Sequence, residues 1–392
     1  MIYNLEDIKT VHLEITTKCN ANCPMCGRTA FGRICPGLPL TELTLEDCKK
    51  IFQPVFLKQL TRISICGAYG DPILATELLE TIKYFRSRNP HLEIEIYTNG
   101  GVRLPLWWVK LAQIIGKRGK VVFGIDGLKD TNHINRQGTV FNRIIRNAKA
   151  FIQAGGRAQW DFIVFKHNEH QVKDARKLSK KLGFEIFSIK RSNRFYKVLY
   201  ERDPALEYTN EEFGKYPIYD FNGQKTGYIE LPRNPKYQDN SLKILKNLIK
   251  KYGSLDRYFD EAPIDCKAKK YQSIFISAAG LVFPCCWLYH QSNYGNFYKV
   301  TDPVELGVEK ILCETGGADR ISAKKYHLKK ILKGEFFRRI EESWHITGLK
   351  KGRLKVCARA CGIYLDLHGN QFKNKALNPW YNKSHLKSSN KT

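Results

Sequence analysis

The sequence predicts an α/β fold in which six parallel strands form a partial, TIM-like (β/α)6 barrel, followed by a small cysteine-rich α+β extension. Two observations support this prediction. Short segments rich in isoleucine, valine and phenylalanine alternate with longer amphipathic segments through residues 1–190, which is typical of βαβ units with parallel strands. This length is too short for a full eight-fold barrel, so six units fit better.

The individual elements follow from residue type and periodicity. The first strand, 11–16, alternates apolar and polar residues as a half-buried strand does. The other predicted strands are 62–66, 92–98, 120–126, 159–165 and 184–189. Helices are predicted at 43–56, 76–89, 105–116, 141–155 and 171–183, with Gly116, Gly155 and Gly183 as C-terminal caps.

Four regions are expected along the chain. Residues 1–190 form the barrel, and 191–263 are a polar, tyrosine-rich connector of loops or a short hairpin. Residues 264–365 contain a second group of cysteines, and 366–392 are a polar, basic tail. A hydrophobic fraction of 43% in 392 residues is sufficient for a large core.

The chain shows neither a signal peptide nor an apolar run long enough to span a membrane, so a cytoplasmic protein without a membrane partner is expected. A reducing compartment disfavours disulfides, and the 12 cysteines are then candidates for metal ligands or catalytic groups. The net charge is +27, and the basic region from Lys324 to the end could attract a phosphate backbone, an anionic membrane or an acidic polypeptide. A solvated lysine-rich surface explains this region equally well.

The segment CNANCPMC places Cys19, Cys23 and Cys26 within eight residues. Three thiolates can hold three corners of a cubane iron–sulfur cluster and leave the fourth iron open to another ligand. A structural zinc site normally closes with four ligands, and Cys35 could supply the fourth. Both interpretations remain open at this point.

The spacing Cys-x3-Cys-x2-Cys after a first strand resembles that of the radical S-adenosylmethionine (radical SAM) enzymes. The resemblance implies a [4Fe–4S] cluster on Cys19, Cys23 and Cys26, with S-adenosylmethionine on the open iron. Reductive cleavage would then give a 5′-deoxyadenosyl radical, which abstracts hydrogen from a peptide, protein or small-molecule substrate. An electron donor such as flavodoxin or ferredoxin is also implied.

Three further segments are similar to segments of that family. GAYGDP (67–72) is similar to its glycine-rich turn at the methionyl amino group, with Asp71 where glutamate is common. YTNGG (97–101) is similar to the ribose-facing segment of the family. DGL (126–128) is followed by Arg136, and in the family such an Asp–Arg pair often faces the methionyl carboxylate or the ribose. The resemblance thus implies six cofactor contacts: Gly70, Asp71, Thr98, Asn99, Asp126 and Arg136.

The second cysteine group resembles the opening of SPASM or twitch extensions, where a glycine hairpin brings two cysteines to one auxiliary [4Fe–4S] cluster. Here the corresponding residues are Cys266, Gly280 and Cys285, with Cys357 and Cys361 available to complete the ligand set. Sequence alone does not choose between Cys285 and its neighbour Cys286. A structural zinc site is the alternative.

Two other functions remain possible from the sequence. One is radical modification of nucleic acid or nucleotides, which is not favoured because no RNA-binding module is recognisable. The other is a non-catalytic binding protein stabilised by zinc. Only eighteen residues precede Cys19, which disfavours a fused leader-peptide-binding domain but not an acidic peptide or other anionic substrate. No catalytic acid or base is predicted.

Overall fold

The computed structural model describes residues 4–192, 194–195, 214–292, 304 and 306–365, so the predicted tail lies outside the described residues. Within them the strands are β1 (Thr10–Leu13), β2 (Thr29–Ala30), β3 (Arg33–Ile34), β4 (Arg62–Ile65), β5 (Glu93–Thr98), β6 (Gly119–Gly124), β7 (Ala158–Ile163), β8 (Ile186–Lys190), β9 (Lys215–Tyr219), β10 (Lys225–Glu230), β11 (Ser273–Ile276) and β12 (Val282–Phe283).

Eight of these strands form one sheet, in the order β12-β11-β1-β4-β5-β6-β7-β8. Every neighbouring pair is parallel except β11 and β12. The six strands predicted from sequence are β1 and β4 to β8, so the predicted parallel α/β core is confirmed. Apolar residues align across it, with Val11 beside Ile63 and Ile63 beside Ile94, as expected for strands buried on both faces.

The helices cover the sheet and build the extension. They are α1 (Leu45–Ile51), α2 (Pro54–Gln59), α3 (Leu78–Arg88), α4 (Pro105–Ile115), α5 (Asn132–Asn135), α6 (Phe141–Gln153), α7 (Val172–Leu182), α8 (Ser241–Tyr252), α9 (Leu255–Glu261), α10 (Lys267–Lys270), α11 (Cys286–Gln291), α12 (Gly307–Glu314), α13 (Leu328–Leu332), α14 (Glu335–Glu342) and α15 (Lys355–Cys361). Within the described residues, none is long and apolar enough to span a bilayer.

The prediction of one helix over 43–56 is wrong, because the chain forms α1 and α2 there. Thr44 caps α1 as expected, with its hydroxyl accepting the Asp47 N–H. Pro54 lacks an N–H and cannot continue α1, so it becomes the first residue of α2. The other four predicted helices correspond to α3, α4, α6 and α7.

The described part of the connector is more regular than predicted. The expected hairpin is present as β9 and β10, but α8 and α9 occupy a stretch that was predicted as loops. Leu245 and Leu248 are buried on one face of α8, and the Ser254 side chain caps α9 by accepting the Arg257 N–H. This apolar spacing and the serine cap were the available signs of two helices.

The cysteine-rich extension shares the central sheet with the barrel. β11 runs parallel to β1, with Thr10 opposite Ser273 and Leu13 opposite Ile276. Apolar side chains from α11 to α15 belong to the same continuous hydrophobic core as those of the barrel strands. The extension therefore covers one edge of the barrel sheet.

Candidate functional site

The carboxyl ends of β1, β4, β5 and β6 lie side by side, and a polar segment follows each of them. The cysteine loop follows β1, residues 67–72 follow β4, Thr98 ends β5, and Asp126 comes shortly after β6. Since neighbouring parallel strands end at one edge of a sheet, the four segments lie on the same side. The structure thus brings together the segments that the sequence singled out around the first cysteine group.

The first three cysteines are half-buried in a hydrogen-bonded loop. The Cys26 N–H donates to the Cys23 carbonyl at 3.0 Å, and the Ala21 N–H donates to Cys19 Sγ at 3.4 Å. Burial raises the pKa of Cys19 to about 12 and that of Cys23 to about 11. Because thiolates rather than thiols bind metals, iron would have to displace these protons.

Two glycines let the turn after β4 pack directly against the segment between β1 and the cysteines. A Cβ atom on Gly70 would lie 1.8 Å from the Thr16 carbonyl oxygen, and one on Gly67 would lie 1.9 Å from the Gly70 carbonyl oxygen. The Asp71 N–H donates to the Lys18 carbonyl at 2.8 Å. Residues with a side chain could not make this close backbone approach.

Asp71 joins the ends of β4 and β5. One carboxylate oxygen accepts the Thr98 hydroxyl at 3.0 Å and the Asn99 N–H at 2.8 Å, and the other accepts the Ile73 N–H at 3.3 Å. The Asn99 side chain donates in turn to the Asn20 side-chain oxygen at 3.0 Å. The predicted residues Asp71, Thr98 and Asn99 are therefore in contact, and they tie the cysteine loop to two strand ends.

Asp126 and Arg136 form the pair that the sequence predicted. Asp126 is fully buried, and its Oδ2 accepts from Arg136 Nε at 2.6 Å and from the Asn135 amide at 2.8 Å. Its Oδ1 accepts the Ile163 N–H at 2.8 Å. The Arg136 guanidinium also contacts Cys23 and lowers the pKa of that thiol, against the larger effect of burial. Asp126 thus orients a cation toward the cysteine loop.

Glu14 is a buried carboxyl group that the sequence analysis missed. Its Oε1 accepts the Tyr69 N–H at 2.7 Å, beneath the glycine-rich turn, and its Oε2 has no hydrogen-bond partner among the described residues. Burial raises the pKa of Glu14 to about 7, against backbone hydrogen bonds that lower it. The alternation in 11–16 predicted a polar face, but Glu14 is fully buried.

Tyr69, which the sequence did not mark, connects the two cysteine groups. Its ring lies beside Gly27, the residue after Cys26. Its hydroxyl lies 2.7 Å from Nδ1 of His290 on α11, and the two rings meet edge to face at 4.9 Å. Burial lowers the pKa of His290 to about 4, so this imidazole is neutral at neutral pH. Helix α11 begins at Cys286, next to the second cysteine group.

The second group converges on one small cavity. Four cysteines line it: Cys266, Cys285, Cys357 and Cys361. The thiols of Cys266 and Cys361 are hydrogen-bonded to each other, and the Lys267 N–H donates to Cys361 Sγ at 3.4 Å. The cavity measures about 10 Å³, which is room for one water, so these side chains would have to move apart to hold a cluster.

Adjacent cysteines in the extension have different surroundings. Cys285 lines the cavity, whereas Cys286 interacts with Cys66 and Glu14, both of which raise its pKa together with burial. The geometry therefore favours Cys285 over Cys286 as the fourth member of the set. Over the part of the chain that the structure describes, no three or more His, Cys, Asp or Glu side chains surround a point suited to a single metal ion.

Residues 13–178 match the Radical SAM superfamily. These residues form a radical SAM domain. The match includes the three cysteines, the glycine-rich turn and the Asp126–Arg136 pair. In the radical SAM domain, three sulfur donors lie beside the glycine-rich turn, which packs on the segment that leads into them, and this donor set fits an iron–sulfur cluster with one iron left open.

One curated relative and two solved structures are similar to the chain. The FeMo cofactor biosynthesis protein NifB of Methanocaldococcus jannaschii is 30% identical over 114 residues, which are 28% of this chain. The matched part spans 37% of the length of that relative.

The structure of polyhistidine-tagged anSMEcpe with bound AdoMet is 16% identical, with a TM-score of 0.52, and covers 93% of this chain and 91% of its own. This similarity concerns the fold alone. The structure of Streptococcus suis SuiB bound to S-adenosylmethionine is 17% identical, covering 89% of this chain and 77% of its own, with a TM-score of 0.47.

Proposed function

We propose that this chain is a radical SAM enzyme whose first cluster is bound by Cys19, Cys23 and Cys26. The observation that supports this most directly is the position of these cysteines beside the Gly70 turn, at the edge where four parallel strands end. A [4Fe–4S] cluster held by these three cysteines would supply the electron for reductive cleavage of S-adenosylmethionine, and this chemistry would serve to abstract hydrogen from a substrate. The substrate is a peptide, a protein or a small molecule, and an external donor such as flavodoxin or ferredoxin supplies the electron.

The residues around the cysteines hold the cysteine loop in place and favour the thiolate form of its ligands. Gly70 lets the turn after β4 pack against the backbone that leads into the cysteine loop. Arg136 places a positive charge beside Cys23, which favours thiolate formation. The hydrogen bonds of Asp71 and Asn99 attach the cysteine loop to the end of β5. Because both Asp71 oxygens already accept hydrogen bonds, its proposed contribution to cofactor binding is to hold the turn.

The test is reductive cleavage of S-adenosylmethionine by protein reconstituted anaerobically with iron and sulfide. With dithionite, we expect 5′-deoxyadenosine to form, and we expect Cys23→Ala to abolish it. Cys313→Ala is the matched control because Cys313 is exposed, and it should retain the activity of the unchanged protein. A Cys23→Ala protein that still cleaved the cofactor, or a reconstituted protein that held zinc instead of iron, would contradict the proposal.

The extension is proposed to hold one auxiliary [4Fe–4S] cluster. Its ligands would be the four cysteines that line the cavity between α10, α11 and α15: Cys266, Cys285, Cys357 and Cys361. Four thiolates satisfy all four irons of a cubane and leave no open position. We therefore assign hydrogen abstraction to the first cluster and not to the auxiliary one.

A further inference from the structure

A cavity of about 410 Å³ opens beyond the carboxyl end of β7. It is lined by Lys166, His167, Glu169, His170, Tyr228, Glu230 and Arg233. This volume lies within the range of small-molecule sites. Its walls come from the segment after β7 and from β10 with the residues that follow it, two parts of the chain joined by a hydrogen bond from the Lys166 N–H to the Glu230 carbonyl at 3.1 Å.

The cavity is physically connected to the first cysteine loop. The Asn168 amide donates to the Asp126 carbonyl at 2.8 Å and to the Ile163 carbonyl at 2.9 Å, which fixes the segment after β7 to the end of β6. On the other side, Phe165 packs in one buried cluster with Met25, the residue before Cys26. The segment that forms one wall of the cavity is therefore packed against the loop that is proposed to hold the cluster.

Both acidic side chains of the cavity are already satisfied within the protein. The two Glu230 oxygens accept from Lys166 Nζ at 2.8 and 2.7 Å. The two Glu169 oxygens accept the Arg233 N–H at 3.2 Å and the Asn234 N–H at 3.0 Å. A ligand cation would thus have to compete with an ion pair or with two backbone donors.

The basic side chains are in excess at the same place. Among the described residues, no carboxylate lies within ion-pair distance of the exposed Arg233 guanidinium. Lys215 Nζ and Lys225 Nζ lie 5.3 and 5.0 Å from the centre of the Tyr228 ring, which lines the cavity, and Lys225 Nζ also donates to the Tyr228 hydroxyl at 2.8 Å. His167 Nε2 is buried and has no hydrogen-bond partner among the described residues. Among the described residues, the Arg233 guanidinium therefore lines the cavity without a carboxylate to neutralise it.

We propose that this cavity is a substrate subsite that binds an anionic group, a carboxylate or a phosphate, with Arg233 as its main charged contact. The inference rests on the proposed radical SAM function, to which it adds a substrate class. An arginine can bind either group through two parallel N–H donors. An anion bound here would be held by a segment that is itself packed against the cysteine loop.

The test is calorimetric titration of the full-length reconstituted protein with glutarate and, separately, with inorganic phosphate, without reductant and without S-adenosylmethionine. We expect saturable binding of at least one anion, and the preferred anion identifies the group as carboxylate or phosphate. Arg233→Gln should weaken this binding about tenfold, as expected for loss of a charge-assisted hydrogen bond. His170→Ala should weaken it less, because it removes one side-chain partner and leaves the Arg233 charge in place.

Arg143→Gln is the matched control, since it removes the same charge from an exposed position on α6. It should leave the dissociation constant unchanged, and circular dichroism should show that all variants are folded. Absence of saturable binding of both anions, or equal weakening by Arg143→Gln and Arg233→Gln, would overturn the assignment. Because no cofactor cleavage is measured, failure here is distinguishable from failure of the proposed function.

Discussion

Gly70 allows the turn after β4 to touch the segment that leads into the cysteine loop, and it gives the most direct prediction for a single residue. Gly70→Ala would place a methyl group 1.8 Å from the Thr16 carbonyl oxygen, so the backbone must shift. We expect the affinity for S-adenosylmethionine to fall at least about tenfold in equilibrium dialysis of the reconstituted protein. Gly227→Ala is the control, because a Cβ there meets nothing within 4 Å; equal losses in both variants would contradict the prediction.

Glu14 makes the stability of the fold depend on pH. Its pKa is raised from 4.5 to about 7 in the folded protein, so the folded state binds more protons between these values. The contribution of Glu14 is therefore greatest below pH 4.5 and is lost as the pH rises through about 7. We expect the free energy of unfolding to fall by about 2.5 kcal/mol more in the unchanged protein than in Glu14→Gln between pH 5 and 8.

Urea titrations of both proteins at several pH values measure this difference. Glu169→Gln provides a comparison with a carboxyl group that is not fully buried. A Glu14→Gln variant with the pH dependence of the unchanged protein would show that Glu14 does not hold a proton in the folded state.

The residues that sequence could identify are those whose chemistry is rare. Three closely spaced cysteines and a glycine-rich turn have few structural explanations, and the structure brings them together at one sheet edge. Glu14 and Tyr69 could not be identified in this way. Glu14 follows the polar alternation of an ordinary strand, and the partner of Tyr69 is His290, which becomes its neighbour only through the packing of the extension on the barrel.

Helices α11 and α15 bring cysteines from distant parts of the chain to one cavity. Cys285 lines this cavity and its neighbour Cys286 does not, so we predict that only Cys285 is a cluster ligand. With both clusters present, the reconstituted protein should contain about eight irons, four in each cubane. Cys357→Ser should reduce the iron content to about four and remove the signal of one cluster in electron paramagnetic resonance. Cys286→Ser, outside the cavity, should keep the full iron content. Loss of iron in Cys286→Ser but not in a Cys285→Ser protein would reverse this assignment.

Periodicity identified the elements of the barrel because each one has a strong apolar face. The prediction failed where a single residue or a weaker pattern decides the outcome. Pro54 divides one amphipathic stretch into α1 and α2, and the lysine-rich sequence of α8 concealed the spacing of Leu245 and Leu248. The position of β11 beside β1 also could not be predicted, since strand order in a sheet is set by contacts between distant segments.

The barrel and the extension are joined at the Tyr69–His290 contact, and this predicts energetic coupling across the whole molecule. Tyr69→Phe removes the hydroxyl 2.7 Å from His290 Nδ1 and leaves that buried nitrogen without this partner. We expect it to lower the free energy of unfolding by about 1–2 kcal/mol. In combination with His290→Leu the losses should be non-additive by about 1 kcal/mol.

Tyr84→Phe is the control for this double-mutant cycle. The Tyr84 hydroxyl donates to the Phe52 carbonyl at 2.9 Å, within the barrel region, so its effect and that of His290→Leu should simply add. Additive losses for Tyr69→Phe and His290→Leu would show that the two parts of the protein are not coupled through this pair.

The pairing of β1 with β11 has a consequence for synthesis of the protein. One edge of β1 can pair with β4 early in translation. Its other edge can pair with β11 only after Ser273–Ile276 has emerged from the ribosome. Until then the nascent chain presents unpaired backbone groups on a strand that also carries the apolar residues Val11 and Leu13, and such an edge is prone to associate with other chains. We therefore expect production in cells to depend on chaperones that shield this strand during translation.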